Sequence, residues 1–494
     1  MTLFPEDFLW GAASSACQIE GGAGEDGRGD SIWDTFARRP GRVAAGATPA
    51  VACDHYHRYR EDVALMARLG LGAYRFSIAW PRVYPHGYGA VNRPGLDYYD
   101  SLTDALLEHA ITPVATLYHW DLPQGLQSRG GWPARDTARY FADFAEQVAR
   151  RMGDRITLWV TLNEPQVAAH LGHEHGVHAP GTRGLGGALQ AAHHLLLAHG
   201  LAVEVLRDLV PGARVGIALN LAPVHPAGDG AADADAASRA DGYFNRWYLD
   251  PLLRGAYPED LQDAYRELEI LPKVAEGDAE AIAAPLDFLG VNYYFRWVVA
   301  AGAGAADGTG TAASGAGGPS GRPAAGSGTA APGAGAAPDR GTAAKDGPRQ
   351  RELGFRVTNV SGGPQEGFTA MGWEVYPAGL SELLLRLHRE YAPATLYVTE
   401  NGAAYEDAPA PDGTVDDGDR ERYLRVHLEA AHEALAGGVP VGGYFAWSLL
   451  DNFEWTHGYG KRFGLVRVDF DSQRRTPKRS AYWYRDVIAQ GGLP

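Results

Sequence analysis

The sequence predicts an α/β fold, a (β/α)8 TIM barrel, as a single domain over residues 1–494 with loop insertions. Three observations predict it. Eight short apolar runs alternate along the chain with amphipathic segments of helical period. The runs are rich in Val, Ile, Leu and aromatic residues without strict alternation, as befits strands covered on both faces. No GxGxxG opens a helix and no Walker A sequence occurs, so an open nucleotide-binding sheet, the competing architecture, lacks support.

The first four runs are FLWGAASSACQIEG (8–21), GAYRFSIAWP (72–81), TPVATLYHW (112–120) and ITLWVTLNEP (156–165). The last four are RVGIALNLAP (214–223), LDFLGVNYYF (286–295), TLYVTENGA (395–403) and VGGYFAWSLLDNFEW (441–455). Helical patterns between them include residues 54–70, 95–110, 136–153 and 419–438. Asp54, Asp136 and Asp419 stand at the expected N-caps, with glycines near the far ends. Residues 300–346 are Ala/Gly/Pro low complexity with little to bury, and are expected to form a flexible insertion between strands six and seven.

At 494 residues the chain exceeds an ordinary single core but suits a large barrel, and an apolar content of 45% is enough to pack one. A net charge of −16 argues against nucleic acid or an anionic membrane as partner, because phosphate binding needs a positive field. Cys17 and Cys53, the two cysteines, do not make a disulfide framework. The segment MTLFPEDFLWGAASS has no basic region followed by an apolar stretch, and no membrane-spanning run follows. A cytoplasmic enzyme is expected; oligomeric state stays open.

Glu164 ends the fourth run and Glu400 the seventh, so a barrel points both into the same mouth. Two facing carboxyl groups are what glycoside hydrolysis requires, one protonated to give a proton to the leaving oxygen and one ionised to attack the sugar. Burial and mutual repulsion can separate their pKa values.

TLNEP, YVTENG, FLWGAASSACQIEG and WSLLDNFEW together resemble the family 1 glycoside hydrolases, the β-glucosidase family, from about residue 4 to about residue 485. The resemblance implies a retaining, exo-acting β-glucosidase with Glu164 as acid/base, Glu400 as nucleophile and the two carboxyl groups about 5–5.5 Å apart. It implies that Arg75, Asn292 and Tyr294 surround the nucleophile and that Asn163 bonds the sugar 2-hydroxyl. Gln18 and Glu454 resemble the clamps on the far hydroxyls, with His119, Trp120 and Trp455 beside them. Trp447 resembles the platform under the ring, Phe463 the wall near the 6-hydroxyl and Trp373 the wall on the leaving-group side. The family usually carries an aromatic residue where Leu162 stands, a side chain expected to point away from the sugar. No cofactor or metal is implied, and the expected partner is a small β-glucoside or cello-oligosaccharide.

Glu454 in DNFEW favours a neutral sugar, glucose first, over a 6-phosphorylated one, because a carboxylate repels phosphate. Galactose and fucose differ at few contacts. A sugar-binding protein without activity is disfavoured, since both glutamates are present. The histidines of HLGHEHGVHAP (His170, His173, His175, His178) invite a metal reading, but no acidic or Cys cluster completes a shell. His193 and His194 read as packing residues on a helix face, and DGTVDDGD (412–419) as a solvated loop.

Overall fold

The computed structural model describes residues 2–302, 353–358 and 366–493. Eight parallel strands close into a barrel: β1 (Leu9–Ala13), β2 (Ala73–Ser77), β3 (Thr112–Tyr118), β4 (Leu158–Asn163), β5 (Arg214–Asn220), β6 (Phe288–Asn292), β7 (Leu396–Asn401) and β8 (Val441–Trp447). Each lies inside one of the eight predicted runs. The runs extend past the strands because their final residues turn into the loops of the mouth. The first is split further, since Ala16–Ile19 forms a helical turn.

Helices cover the outside of the ring. The main ones are α1 (His55–Arg68), α2 (Arg93–Glu108), α3 (Asp136–Met152), α4 (Leu185–Leu209), α6 (Ala378–Tyr391), α7 (Gly418–Ala436) and α8 (Arg479–Gln490), while α5 (Ala231–Asp241) packs on a small separate sheet. The capping expectations need correction. Asp54 is the N-cap of α1, but its carboxylate pairs with His57 and Arg58 instead of a backbone amide. Asp136 is the first residue of α3, and Asp419 lies in the first turn of α7 behind the N-cap Asp417. Acids in a first turn still meet the positive end of the helix dipole.

Two apolar layers result. One lies between strands and helices and includes Trp80, Phe141, Phe144, Trp159, Leu162 and Leu195. A smaller one fills the barrel and includes Ala73, Val114, Leu158, Val160, Phe288 and Phe445. Along β3 the alternation is visible: Val114 belongs to the interior layer, while Ala115 and Leu117 belong to the outer one.

The strand Trp297–Ala301 pairs antiparallel with Phe355–Val357 and parallel with Val224–Pro226, making a small sheet at the rim. Ala300 and Ala301, the first residues of the predicted insertion, therefore close a strand. Residues 303–346 of that insertion lie outside the described residues. DGTVDDGD is not wholly solvated either. Asp417 is buried, accepts from Ser480 N at 2.7 Å and Ser480 Oγ at 2.6 Å, and pairs with Arg420. Cys17 and Cys53 are buried free thiols.

Candidate active site

Strand register brings the site together. Asn292 at the tip of β6 stands opposite Asn220 on β5 and Glu400 on β7. The ladders carry irregularities between Val160 and Asn163 and between Val398 and Glu400, at the ends of β4 and β7. Such bulges re-aim side chains at a barrel rim. Glu164 follows Asn163 with φ 48°, in the left-handed region, and its amide is anchored to the Ala218 carbonyl at 2.8 Å. Trp120 and Trp455 share this backbone state, at φ 74° and 47°. Each such residue stores about 1–3 kcal/mol of strain, a cost common where a side chain must be held in one place.

Glu400 is 2% exposed. Its Oε1 accepts from Arg75 Nη1 at 2.7 Å, and its Oε2 accepts from the Tyr294 hydroxyl at 2.6 Å. Arg75, itself buried, also donates from Nη2 to Asn163 Oδ1 at 2.6 Å and from Nε to Thr116 Oγ1 at 3.1 Å. Glu164 has no cation of its own. Its Oε1 accepts from Asn292 Nδ2 at 2.7 Å and Asn220 Nδ2 at 3.1 Å. Burial, reinforced by the charge of Glu400, pushes Glu164 up to about 8. Burial also raises Glu400, but Arg75 and Tyr294 oppose it by favouring the carboxylate. Both carboxyl groups are raised, but Arg75 and Tyr294 favour the charge on Glu400 alone, so Glu400 ionises first and its charge keeps the proton on Glu164.

A cavity of about 180 Å³ opens over this pair. Trp447, Phe463, Glu454, Trp455, His119 and Trp120 are among the residues that line it. The His119 ring stacks between those of Trp447 and Trp455, with centroids 5.7 Å and 6.0 Å away. His119 Nε2 accepts from Asn163 Nδ2 at 3.0 Å, and burial drives this histidine well below its ordinary pKa, so it stays neutral with its proton on Nδ1. Gln18 Nε2 donates to Asn452 Oδ1 at 3.1 Å and to the Phe453 carbonyl at 3.0 Å, and reaches Glu454 Oε2 at 3.4 Å. The Gln18 Oε1 is buried without a partner. Burial, then the charge of Glu400, pushes Glu454 up to about 8. Trp373, with Tyr294 and Phe295 against it at 5.3 and 5.4 Å, lines the same cavity. Aromatic faces beside convergent hydrogen-bonding groups suit a pyranose, which presents both a C–H face and hydroxyls.

The family model for glycosyl hydrolase family 1 matches residues 1–493. The chain belongs to this family. β-Glucosidase A of Acetivibrio thermocellus is 43% identical over 492 residues, covering 99% of each chain. A bifunctional β-D-glucosidase/β-D-fucosidase of Bifidobacterium breve is 43% identical over 99% of this chain and 98% of its own. The solved β-glucosidase of Thermotoga maritima in complex with deoxynojirimycin is 41% identical, with a TM-score of 0.88 over 100% of both chains. The fold is the (β/α)8 barrel of these family 1 neighbours, and the chain is a glycoside hydrolase.

Ten of the fourteen predicted site residues line the cavity of this family 1 chain. The other four, Gln18, Arg75, Asn163 and Asn292, stand behind that wall and hold the lining residues by the bonds given above. Leu162 packs in the outer layer, away from the cavity, as expected. The sequence reading missed Asn220, although it tips an apolar strand as Asn163 and Asn292 do. It also passed over Gln166, and it weighed His170, His175 and His178 only as metal ligands; all four line the cavity. His173, by contrast, faces Thr182 Oγ1 at 3.1 Å, and His193 sits between Asp278 and Tyr257. No helix among the described residues is long and apolar enough to cross a membrane.

Proposed function

We propose that this family 1 hydrolase is a retaining, exo-acting β-glucosidase that removes terminal non-reducing β-D-glucosyl residues from aryl glucosides and cello-oligosaccharides. In the first step a Glu400 oxygen attacks the anomeric carbon. The glycosidic C–O bond breaks as Glu164 gives its proton to the leaving oxygen, and a glucosyl ester forms on Glu400. In the second step Glu164, now a carboxylate, takes a proton from water. The water oxygen bonds to the anomeric carbon, the ester C–O bond breaks, and Glu400 and Glu164 return to their starting states.

The observation that carries this reading is the asymmetry of the two acids. Glu400 is bonded by a guanidinium and a phenol, Glu164 only by amides. Asn163 bridges Arg75 and His119 and is the expected donor to the 2-hydroxyl. Glu454 lines the cavity, and its carboxyl group there disfavours a 6-phosphorylated sugar. The bifunctional relative favours additional turnover of β-fucosides. Two free buried thiols favour a reducing compartment, and we place the enzyme in the cytoplasm.

Incubation with a 2-fluoro β-glucoside bearing an activated leaving group, followed by peptide mass spectrometry, tests the assignment. The label is expected on Glu400. A label on any other residue overturns it. Faster turnover of nitrophenyl glucoside 6-phosphate than of nitrophenyl glucoside would overturn the preference for a neutral sugar.

A further inference from the structure

Thr399 directly precedes Glu400 on β7, and the bond-breaking steps do not use it. It is buried, and its hydroxyl donates to Asn292 Oδ1 at 2.7 Å. Its carbonyl separately accepts from Arg75 Nη1 at 3.2 Å. Gly290, two residues before Asn292 on β6, makes room for it: a Cβ there would stand 2.8 Å from both Thr399 Oγ1 and Cγ2.

The neighbours fix which end of the Asn292 amide points where. A guanidinium only donates, so the Asn163 atom that meets Arg75 Nη2 at 2.6 Å is its oxygen. That oxygen also meets the Asn292 amide at 2.9 Å, so Asn292 turns its nitrogen to it. The same nitrogen gives its second proton to Glu164 Oε1 at 2.7 Å. Asn292 Oδ1 is left facing Thr399, whose hydroxyl is its one donor among the described residues, and Asn292 is 0% exposed, so water does not replace that donor. A buried carbonyl without a donor is costly. An Asn292 that lost this bond would rotate toward another donor and carry Nδ2 off Glu164.

We propose that Thr399 is a positioning residue for the acid/base: its hydroxyl holds the Asn292 amide with Nδ2 aimed at the Glu164 carboxyl. The proposal rests on the β-glucosidase reading and deepens it. The Asn292 donor favours the ionised form of Glu164, against burial and the charge of Glu400, so losing it raises the pH at which Glu164 gives up its proton. The other charged or titratable groups around Glu164 are Glu400 on β7, Arg75 on β2, Tyr294 after β6, His119 after β3, Glu454 after β8 and the remaining cavity histidines. The Thr399 hydroxyl bonds none of them, so its removal reaches Glu164 through Asn292.

The test follows kcat/KM for cellobiose against pH in wild type, Thr399→Val and Thr399→Ser. Valine keeps the shape and removes the hydroxyl; serine keeps the hydroxyl. The alkaline limb reports loss of the Glu164 proton. It is expected to move up by about one pH unit in Thr399→Val, since one of two amide donors is lost, and to stay at the wild-type position in Thr399→Ser. An unmoved limb in Thr399→Val overturns the proposal, even where the rate falls by one factor at every pH, and so does an equal shift in Thr399→Ser. If Thr399→Val does not fold, Thr399→Ala, which puts no atom in place of the hydroxyl, carries the decision. Wild type inactive on nitrophenyl β-glucoside would instead overturn the β-glucosidase reading, which separates the two failures.

Discussion

Replacing Glu400 by Gln should lower the pKa of Glu164. Glu164 stands at about 8 for two reasons, burial first and the charge of Glu400 second. The amide removes the second reason and keeps the volume. For carboxyl groups about 5.5 Å apart, as retention requires, an effective dielectric of about 20 gives roughly 3 kcal/mol of repulsion. At about 1.4 kcal/mol per pH unit this is a fall of roughly 2 units, with burial holding the remainder. Carbon-13 NMR of protein labelled at the Glu side-chain carboxyl reads the titration, and Glu164→Gln in the same background assigns the signal. Glu164 titrating unmoved in Glu400→Gln would refute the coupling. The change matters because esterification neutralises Glu400 as the amide does. The glucosyl ester therefore makes Glu164 a weaker holder of its proton, suited to act as base when water arrives.

Three further outcomes are expected. Glu164→Gln should slow glucosides with poor leaving groups by about 10²–10⁴-fold, with azide restoring part of the turnover of activated aryl glucosides as the β-glucosyl azide; steady-state rates and product NMR check this. Glu454→Gln should leave the melting midpoint near the wild-type value at pH 5 and raise it at pH 9, measured by calorimetry. The folded pKa of Glu454 is raised, so its contribution is complete below the unfolded value and is lost as pH rises through about 8, a loss that glutamine does not suffer. Lys478→Met removes a buried ammonium held by Asp407 at 2.7 Å and Asp451 at 2.8 Å, and should destabilise by about 3–5 kcal/mol, read as a lower denaturation midpoint.

The barrel was legible because its strands are buried on both faces and their apolar runs stop at polar tips. What the runs did not reveal is where each strand ends and its loop begins, since apolar and aromatic residues continue past β1 and β8 into the walls of the mouth. Capping was misjudged for the same kind of reason. Asp417 is drawn to Ser480 and Arg420, partners distant or unremarkable in sequence, and only the fold brings them to one place.

The site itself turns on a parity that the sequence hides. Successive strand residues face opposite ways. On β7 the rule holds: Glu400 faces the cavity, while Asn401 turns outward to the Tyr293 carbonyl at 2.7 Å and the Tyr444 hydroxyl at 2.5 Å. On β4 it fails to the enzyme's advantage. Asn163 and Glu164, consecutive residues, both accept from Asn292 Nδ2, at 2.9 and 2.7 Å, Asn163 behind the cavity wall and Glu164 lining it. The left-handed backbone at Glu164, following the break in register, swings its side chain back to the same side. TLNEP and TENG read alike as an amide beside an acid, yet they deliver different things. The fourth strand turns both members of its pair toward Asn292, the seventh turns its amide away, and the left-handed backbone at Glu164 makes the difference.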